Sequence, residues 1–162
     1  MAPECPGKGG FTKEGSMEIL KFLHILGVVL MVGNVITTGL WAHWASKSDE
    51  ESLRKFASIS ILKADLFLTF TGGGLILVPG FAMAGINGLT FQENPWLVQG
   101  IVALAASTIV WLLVLLPDQF RMKTCAESGD PAGFIKAYRR WSLLGWLATI
   151  PLVYGIWVMV VR

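Results

Sequence analysis

Charge is scarce in this chain. Only 15% of its 162 residues are Asp, Glu, Lys or Arg, against about 25% in soluble domains. With 54% hydrophobic residues and a mean hydropathy of +0.61, that scarcity excludes a water-soluble enzyme fold and a nucleic-acid-binding surface. Metal-ligating side chains are equally sparse, with two histidines and two cysteines. Cys5 and Cys125 have no Cys-x-x-Cys spacing, and the topology derived below puts them on opposite sides of a membrane, so both are expected as free thiols. No Gly-x-Ser-x-Gly, His-Glu-x-x-His, Walker or dinucleotide glycine pattern occurs. The triplet Gly72-Gly73-Gly74 falls in the middle of an apolar run, where glycines let helices approach closely and do not cradle phosphate.

What the chain does have is long apolar runs. Leu20–Ala45 exceeds the roughly 20 apolar residues that cross a bilayer. His24, Gly27, Met31, Asn34, Thr38 and Trp41 recur within it in steps of three and four, which places them on one helical face. Ile25, Val28, Val29, Val32, Ile36 and Leu40 take the opposite face and suit lipid. A helix apolar outside and small or polar inside belongs to a membrane bundle. Residues 1–16, rich in Gly, Pro and Lys, read as a disordered tail ahead of a transmembrane domain over 17–162, with Met17 as an alternative translation start.

A second helix is expected from Ser48, with Glu51 completing a capping box, to about Met83. Asp65, Thr69, Gly72, Ile76 and Gly80 share a face there. Asp65 is expected to pair with Lys63, Arg54 or a base of the later loop, because charges near helix ends stay hydrated cheaply. Pro79 should kink this helix. Pro95 opens a third helix over Leu97–Leu116, and a polar stretch follows Pro117. Gly129-Asp130-Pro131 breaks and restarts the chain, with Asp130 as N-cap of a fourth helix. That helix begins in water and crosses the membrane after Arg140, bending at Pro151. The sum is an all-α integral membrane four-helix up-down bundle whose helices extend into the cytoplasm.

Basic residues set its orientation. Nine of the thirteen Lys and Arg lie in the first and third connections. Those connections are therefore expected in the cytoplasm of a bacterial inner membrane, with both termini periplasmic. His24 then lies about one turn below the outer surface. An ionisable side chain at that depth is a functional candidate by default, although a hydrogen bond to a carbonyl or serine of a neighbouring helix would also account for it. His43 stands 19 residues further on, about 28 Å along a helix, so the two cannot share a metal. Flanked by Trp41 and Trp44, it reads as an interfacial anchor. At the level of His24 the candidate partners are Met83, Gln99, Tyr154 and Met159. Asn34 is the further polar group of the same stripe, and Gly27, Gly80 and Gly155 would leave room for a flat ligand.

Leu20–Trp41, LKFLHILGVVLMVGNVITTGLW, resembles the opening helix of an uncharacterised four-helix bacterial membrane family. That family is similar to the copper-resistance D-type membrane proteins and to the haem-b-dependent bacterial protoporphyrinogen oxidase. The likeness rests on Lys21, Leu23 and His24 and on Phe134–Arg140 with Pro151. It implies haem b on His24. From its level in the bundle Met159 is the candidate second ligand, because histidine with methionine is an axial pair for haem iron, and Asn34 of the same stripe is the further candidate beside the site. The oxidase also has a lysine after a tryptophan in its third helix. Here Trp96-Leu97-Val98-Gln99-Gly100 contains none, which argues against protoporphyrinogen oxidation and leaves haem binding. The expected function is thus a small haem-b-binding protein in electron transfer or haem handling, alone in lipid, as a homodimer or beside a membrane redox partner. The alternative is a cofactor-free membrane interaction or assembly protein. Copper held by His24, Met31 and other methionines is a third possibility.

Overall fold

The computed structural model describes residues 13–161. Four helices account for nearly all of them: α1 (Lys13–Lys47), α2 (Glu51–Ile86), α3 (Pro95–Glu127) and α4 (Pro131–Val161). Each is long and apolar enough to cross a membrane, and no strand occurs among the described residues. The expected all-α membrane bundle is therefore the observed fold. The helix–loop–helix pairs α1–α2 and α3–α4 form two antiparallel hairpins. Their two connections, residues 48–50 and the turn at Gly129, lie at one end, called here the basic end. Residues 87–94 mark the far end.

Several helix limits differ from expectation for local reasons. α1 begins at Lys13, four residues into the stretch read as tail; residues 1–12, including Cys5, and Arg162 lie outside the described residues. The capping box at Ser48 does not form. Its Oγ instead accepts the Glu50 N–H at 3.0 Å, so Glu50 becomes the N-cap and makes no side-chain capping bond. The first turn is held by the Glu51–Lys55 ion pair at 2.5 Å. The hydrogen bond and charge of Lys55 hold the Glu51 carboxyl below its ordinary value. α3 does not stop at Pro117. A π-helical turn over Trp111–Leu115 shifts the hydrogen bonding by one residue just before that proline, which has no N–H to give and whose ring crowds the preceding turn. The helix then runs on to Glu127. At the start of α4 the forecast cap is present, with the Gly133 N–H on Asp130 Oδ1 at 2.9 Å. Gly129 ahead of it takes φ +68°, a left-handed turn that favours glycine.

Packing is uneven along the bundle. In the basic half, Ala42 and Ala45 of α1 and Ala57 and Ile61 of α2 form one core with Trp111, Met122, Phe134 and Trp141 of the other hairpin. The Asp118 carboxylate, fully buried, takes both the Nε and Nη2 of Arg140 at 2.8 and 2.6 Å. In the far half the hairpins are less tied: Pro95–Val110 of α3 packs along α4, and its backbone makes little close approach to α1 or α2. Ser107 illustrates the pairing by donating to the Ala148 carbonyl at 2.9 Å.

Candidate functional site

Two polar centres lie inside the apolar spans, and α1 contributes to both. The first is built on Asp65. Its carboxylate is buried, with Oδ1 accepting from Asn34 Nδ2 at 2.6 Å and Thr69 Oγ1 at 3.1 Å. Oδ2 accepts from Trp111 Nε1 at 2.6 Å and Gln119 Nε2 at 2.5 Å. Three helices thus converge on one carboxylate. Trp111 stands 16 residues into α3, about 24 Å from its far end at 1.5 Å per residue, so the centre sits in the basic half of the span.

The expected pairing of Asp65 with Lys63, Arg54 or a loop base does not occur. Lys63 is exposed, Arg54 donates to the Ser48 carbonyl at 2.7 Å, and Arg140 belongs to Asp118. Four neutral donors fill the lone-pair positions of the carboxylate instead, which keeps a buried charge hydrogen-bonded without a cation. The π turn begins at Trp111 itself, and Gln119 lies two turns beyond it on the same helix. Asn34 Oδ1 and Gln119 Oε1, the far oxygens of the two donating amides, have no protein partner among the described residues. The sequence carried a signal for half of this centre: Asn34 and Asp65 stand on the polar stripes of α1 and α2. Trp111 and Gln119 carried none that separates them from an anchor and a loop residue.

The second centre is His24, half-buried between α1 and α2. Its Nδ1 lies 2.8 Å from the Ile76 carbonyl oxygen. A carbonyl only accepts, so Nδ1 carries the proton and the lone pair of a neutral ring is left on Nε2. Nε2 has no hydrogen-bond partner among the described residues. Gly80 makes the position possible, because a Cβ there would stand 3.2 Å from Nδ1. The carbonyl-bonding alternative for His24 is therefore realised, and it leaves one ring nitrogen open.

The other residues singled out beside His24 are dispersed. Tyr154 donates to Gln99 Oε1 at 3.2 Å, tying α4 to α3. Met159 lies against Gly100, filling the place a side chain would take there; it faces α3 and not α1. Asn34 is engaged with Asp65. His43 meets the Tyr138 hydroxyl at 3.3 Å and joins the hairpins at the basic end.

These contacts test the fit of a haem. As a donor, His24 suits iron. The interior room does not suit a macrocycle: a Cβ on Gly27 would stand 2.7 Å from the Gly72 carbonyl and 2.9 Å from the Ile76 nitrogen, so α1 and α2 already touch there. Gly80 is covered by the His24 ring, and a Cβ on Gly155 would already meet Ala103 at 3.4 Å, so the space there is that of a methyl group. Such a group could meet His24 only from outside the α1–α2 seam.

Residues 18–162 match the model of the family DUF2269, described as predicted integral membrane protein. No curated protein matches the chain, and no solved structure does. The wider likeness to copper-resistance D-type proteins and to the oxidase gains no support from these comparisons. With 145 of its residues inside the match and four spans in its fold, the chain belongs to the DUF2269 family of predicted integral membrane proteins.

Proposed function

We propose that this integral membrane protein binds haem b through His24 and acts in electron transfer or haem handling. The observation that carries the reading is the hydrogen bond from His24 Nδ1–H to the Ile76 carbonyl. Histidines that ligate metals are commonly held in this way, with the second ring nitrogen donating to a carbonyl or carboxylate. That contact fixes the tautomer, orients the ring and leaves Nε2 as the ligand atom. Bound haem would supply one-electron chemistry at its iron. The chain's own part is to hold the imidazole, with Gly80 making space for it and Asp65 clamping the two hairpins below. Met159, directed at Gly100, is not the residue we assign to the second axial position. Orientation belongs to the same proposal: the basic end faces the cytoplasm of a bacterial inner membrane and both termini face the periplasm.

Colour tests the reading. Protein purified in detergent from cells supplied with haem precursor should show a Soret band, and His24→Ala should remove it while expression persists. His43→Ala should leave the spectrum unchanged, since that residue stands at the opposite end of α1. A colourless wild type that takes up no added haem would sink the proposal.

A second reading, a cofactor-free interaction or assembly protein, is favoured by one observation. In the far half Pro95–Val110 of α3 makes little close backbone approach to α1 or α2, so the hairpins are least tied to each other there and a partner's helix would displace few contacts. A colourless protein that co-purifies at fixed stoichiometry with one membrane partner would establish it.

A further inference from the structure

The basic end carries a feature that neither reading uses. Two adjoining cavities, of about 420 and 540 Å³, open on the α3–α4 hairpin and share Lys136 and Arg140 in their walls. Arg121 lines the first and Arg139 the second. Arg139 and Arg140 stand three and four residues after Lys136, and Leu143 stands four and three residues after them, so α4 turns one face to this groove. Four cations thus surround a space whose one carboxylate, Asp118, is already buried and engaged by Arg140. That engagement is itself informative. Asp118 grips the Nε and Nη2 edge of the guanidinium and holds it in place, and among the described residues Arg140 Nη1 makes no hydrogen bond. A guanidinium fixed on one edge and open on the other is preorganised for a tetrahedral oxyanion. Lys136, Arg139 and Arg121 are exposed and form no ion pair among the described residues.

The flanks identify the source of the anion. Leu143 is 64% exposed one turn along α4 towards the membrane, and Phe120 is 49% exposed on α3. The basic groove therefore continues into an apolar surface on the membrane side of its cations, as a lipid headgroup continues into its acyl chains. We propose that this groove binds the phosphate of an anionic phospholipid, with Lys136, Arg139, Arg121 and Arg140 on the headgroup and Phe120 and Leu143 along the first acyl carbons. Basic pockets between membrane helices at a basic membrane face recognise lipid headgroups by this combination. A free phosphate would use the cations and gain nothing from the apolar flanks.

The test uses the full chain in nanodiscs of phosphatidylcholine alone or with a quarter of phosphatidylglycerol. Phosphatidylglycerol should raise the melting temperature by about 5 °C, the shift expected when a site is well saturated. Native mass spectra should show phosphatidylglycerol retained on the protein. Lys136→Gln with Arg139→Gln should remove most of the shift and the retained lipid. Lys47→Gln with Lys63→Gln removes the same charge from the other hairpin and should keep both. Equal loss from the two double variants would reduce the effect to general surface potential and overturn the proposal. So would equal melting in the two lipids, or inorganic phosphate reproducing the shift in phosphatidylcholine nanodiscs.

Discussion

Asp65 and His24 occupy the same seam between α1 and α2, yet they are treated in opposite ways. Asp65 accepts four hydrogen bonds from three helices and both hairpins. His24 has one, to a carbonyl of its own hairpin. Around the first, the hairpins share a core of Ala, Ile, Met and aromatic residues; the second rests on Ile76 and Gly80 of α2. The contrast teaches where this bundle is fixed and where chemistry is free. A charge in an apolar span must find all its partners within the protein, and collecting them draws helices together. A neutral imidazole needs only one partner, so it can be held by a single neighbour and keep a nitrogen open for a ligand.

The largest effect should come from removing the clamp. Asp65→Ala strips the acceptor from Asn34, Thr69, Trp111 and Gln119, all at once and mostly in buried positions. Each neutral donor left unpaired costs about 1–3 kcal/mol. Hydrogen bonds in membrane bundles average nearer 0.6 kcal/mol, because the separated helices find other partners. Balancing the two, we expect a loss of about 2–4 kcal/mol in a reversible detergent-unfolding measurement. Spin labels on Phe56 and Phe120, on the two hairpins, should give a broadened distance distribution in the variant. Asp65→Asn should recover part of the loss. Unchanged unfolding in Asp65→Ala would mean that the alanine-rich core alone joins the hairpins and that the carboxylate is idle there.

An intermediate effect is expected within the α1–α2 hairpin. A methyl group on Gly27 meets backbone atoms of Gly72 and Ile76 below 3.0 Å, and backbone cannot swing aside as a side-chain tip can. Overpacking of that kind costs about 1–3 kcal/mol. Gly27→Ala should therefore lower stability and also disturb His24, whose acceptor is the Ile76 carbonyl. Gly33→Ala serves as the reference, since its added Cβ meets nothing within 4 Å. Equal stability of the two variants would remove the argument that α1 and α2 are locked by backbone contact.

Much of the bundle was legible in the sequence because lipid makes the rules few. Four apolar runs gave four spans, and Asp130-Pro131 gave the start of α4. The register of α1 against α2 was also within reach. Along the two polar stripes, His24 meets Gly80, Gly27 meets Ile76 and Met31 meets Gly72, each step up one helix matching a step down the other, and Asn34 reaches a turn further, to Asp65. What stayed hidden were contacts between hairpins. Nothing local to Trp111 or Gln119 shows that a π turn will aim both at a carboxylate 46 and 54 residues away. The expected cation for Asp65 failed for a related reason: Lys63, on the same helix, lies on the exposed side, and nearness in sequence is not nearness across a helix. The room expected at Gly27, Gly80 and Gly155 went to neighbouring helices and to the His24 ring, because a small residue in a membrane seam invites packing as readily as it admits a ligand.

The smallest effect should be that of His24 on stability, and it sharpens the contrast most. His24→Ala deletes one neutral hydrogen bond, worth about 0.5–1.5 kcal/mol, and a half-buried ring resting on Gly80. Against that loss, the alanine removes a polar group from an apolar span and suits a helix well. The Ile76 carbonyl loses an extra donor but stays within a helix, unlike the four donors abandoned around Asp65. The net loss of stability should be about 1 kcal/mol or less in the same unfolding measurement, well below that of Asp65→Ala. Gly80→Ala offers an independent reading of the same contact. Its Cβ would press on the ring at 3.2 Å, so a Soret band carried by His24 should shift or weaken while unfolding changes little. A loss on His24→Ala as large as that on Asp65→Ala would make the histidine a structural fastening like the aspartate. The division between a fixed end and an end that keeps a ring nitrogen open would then fail.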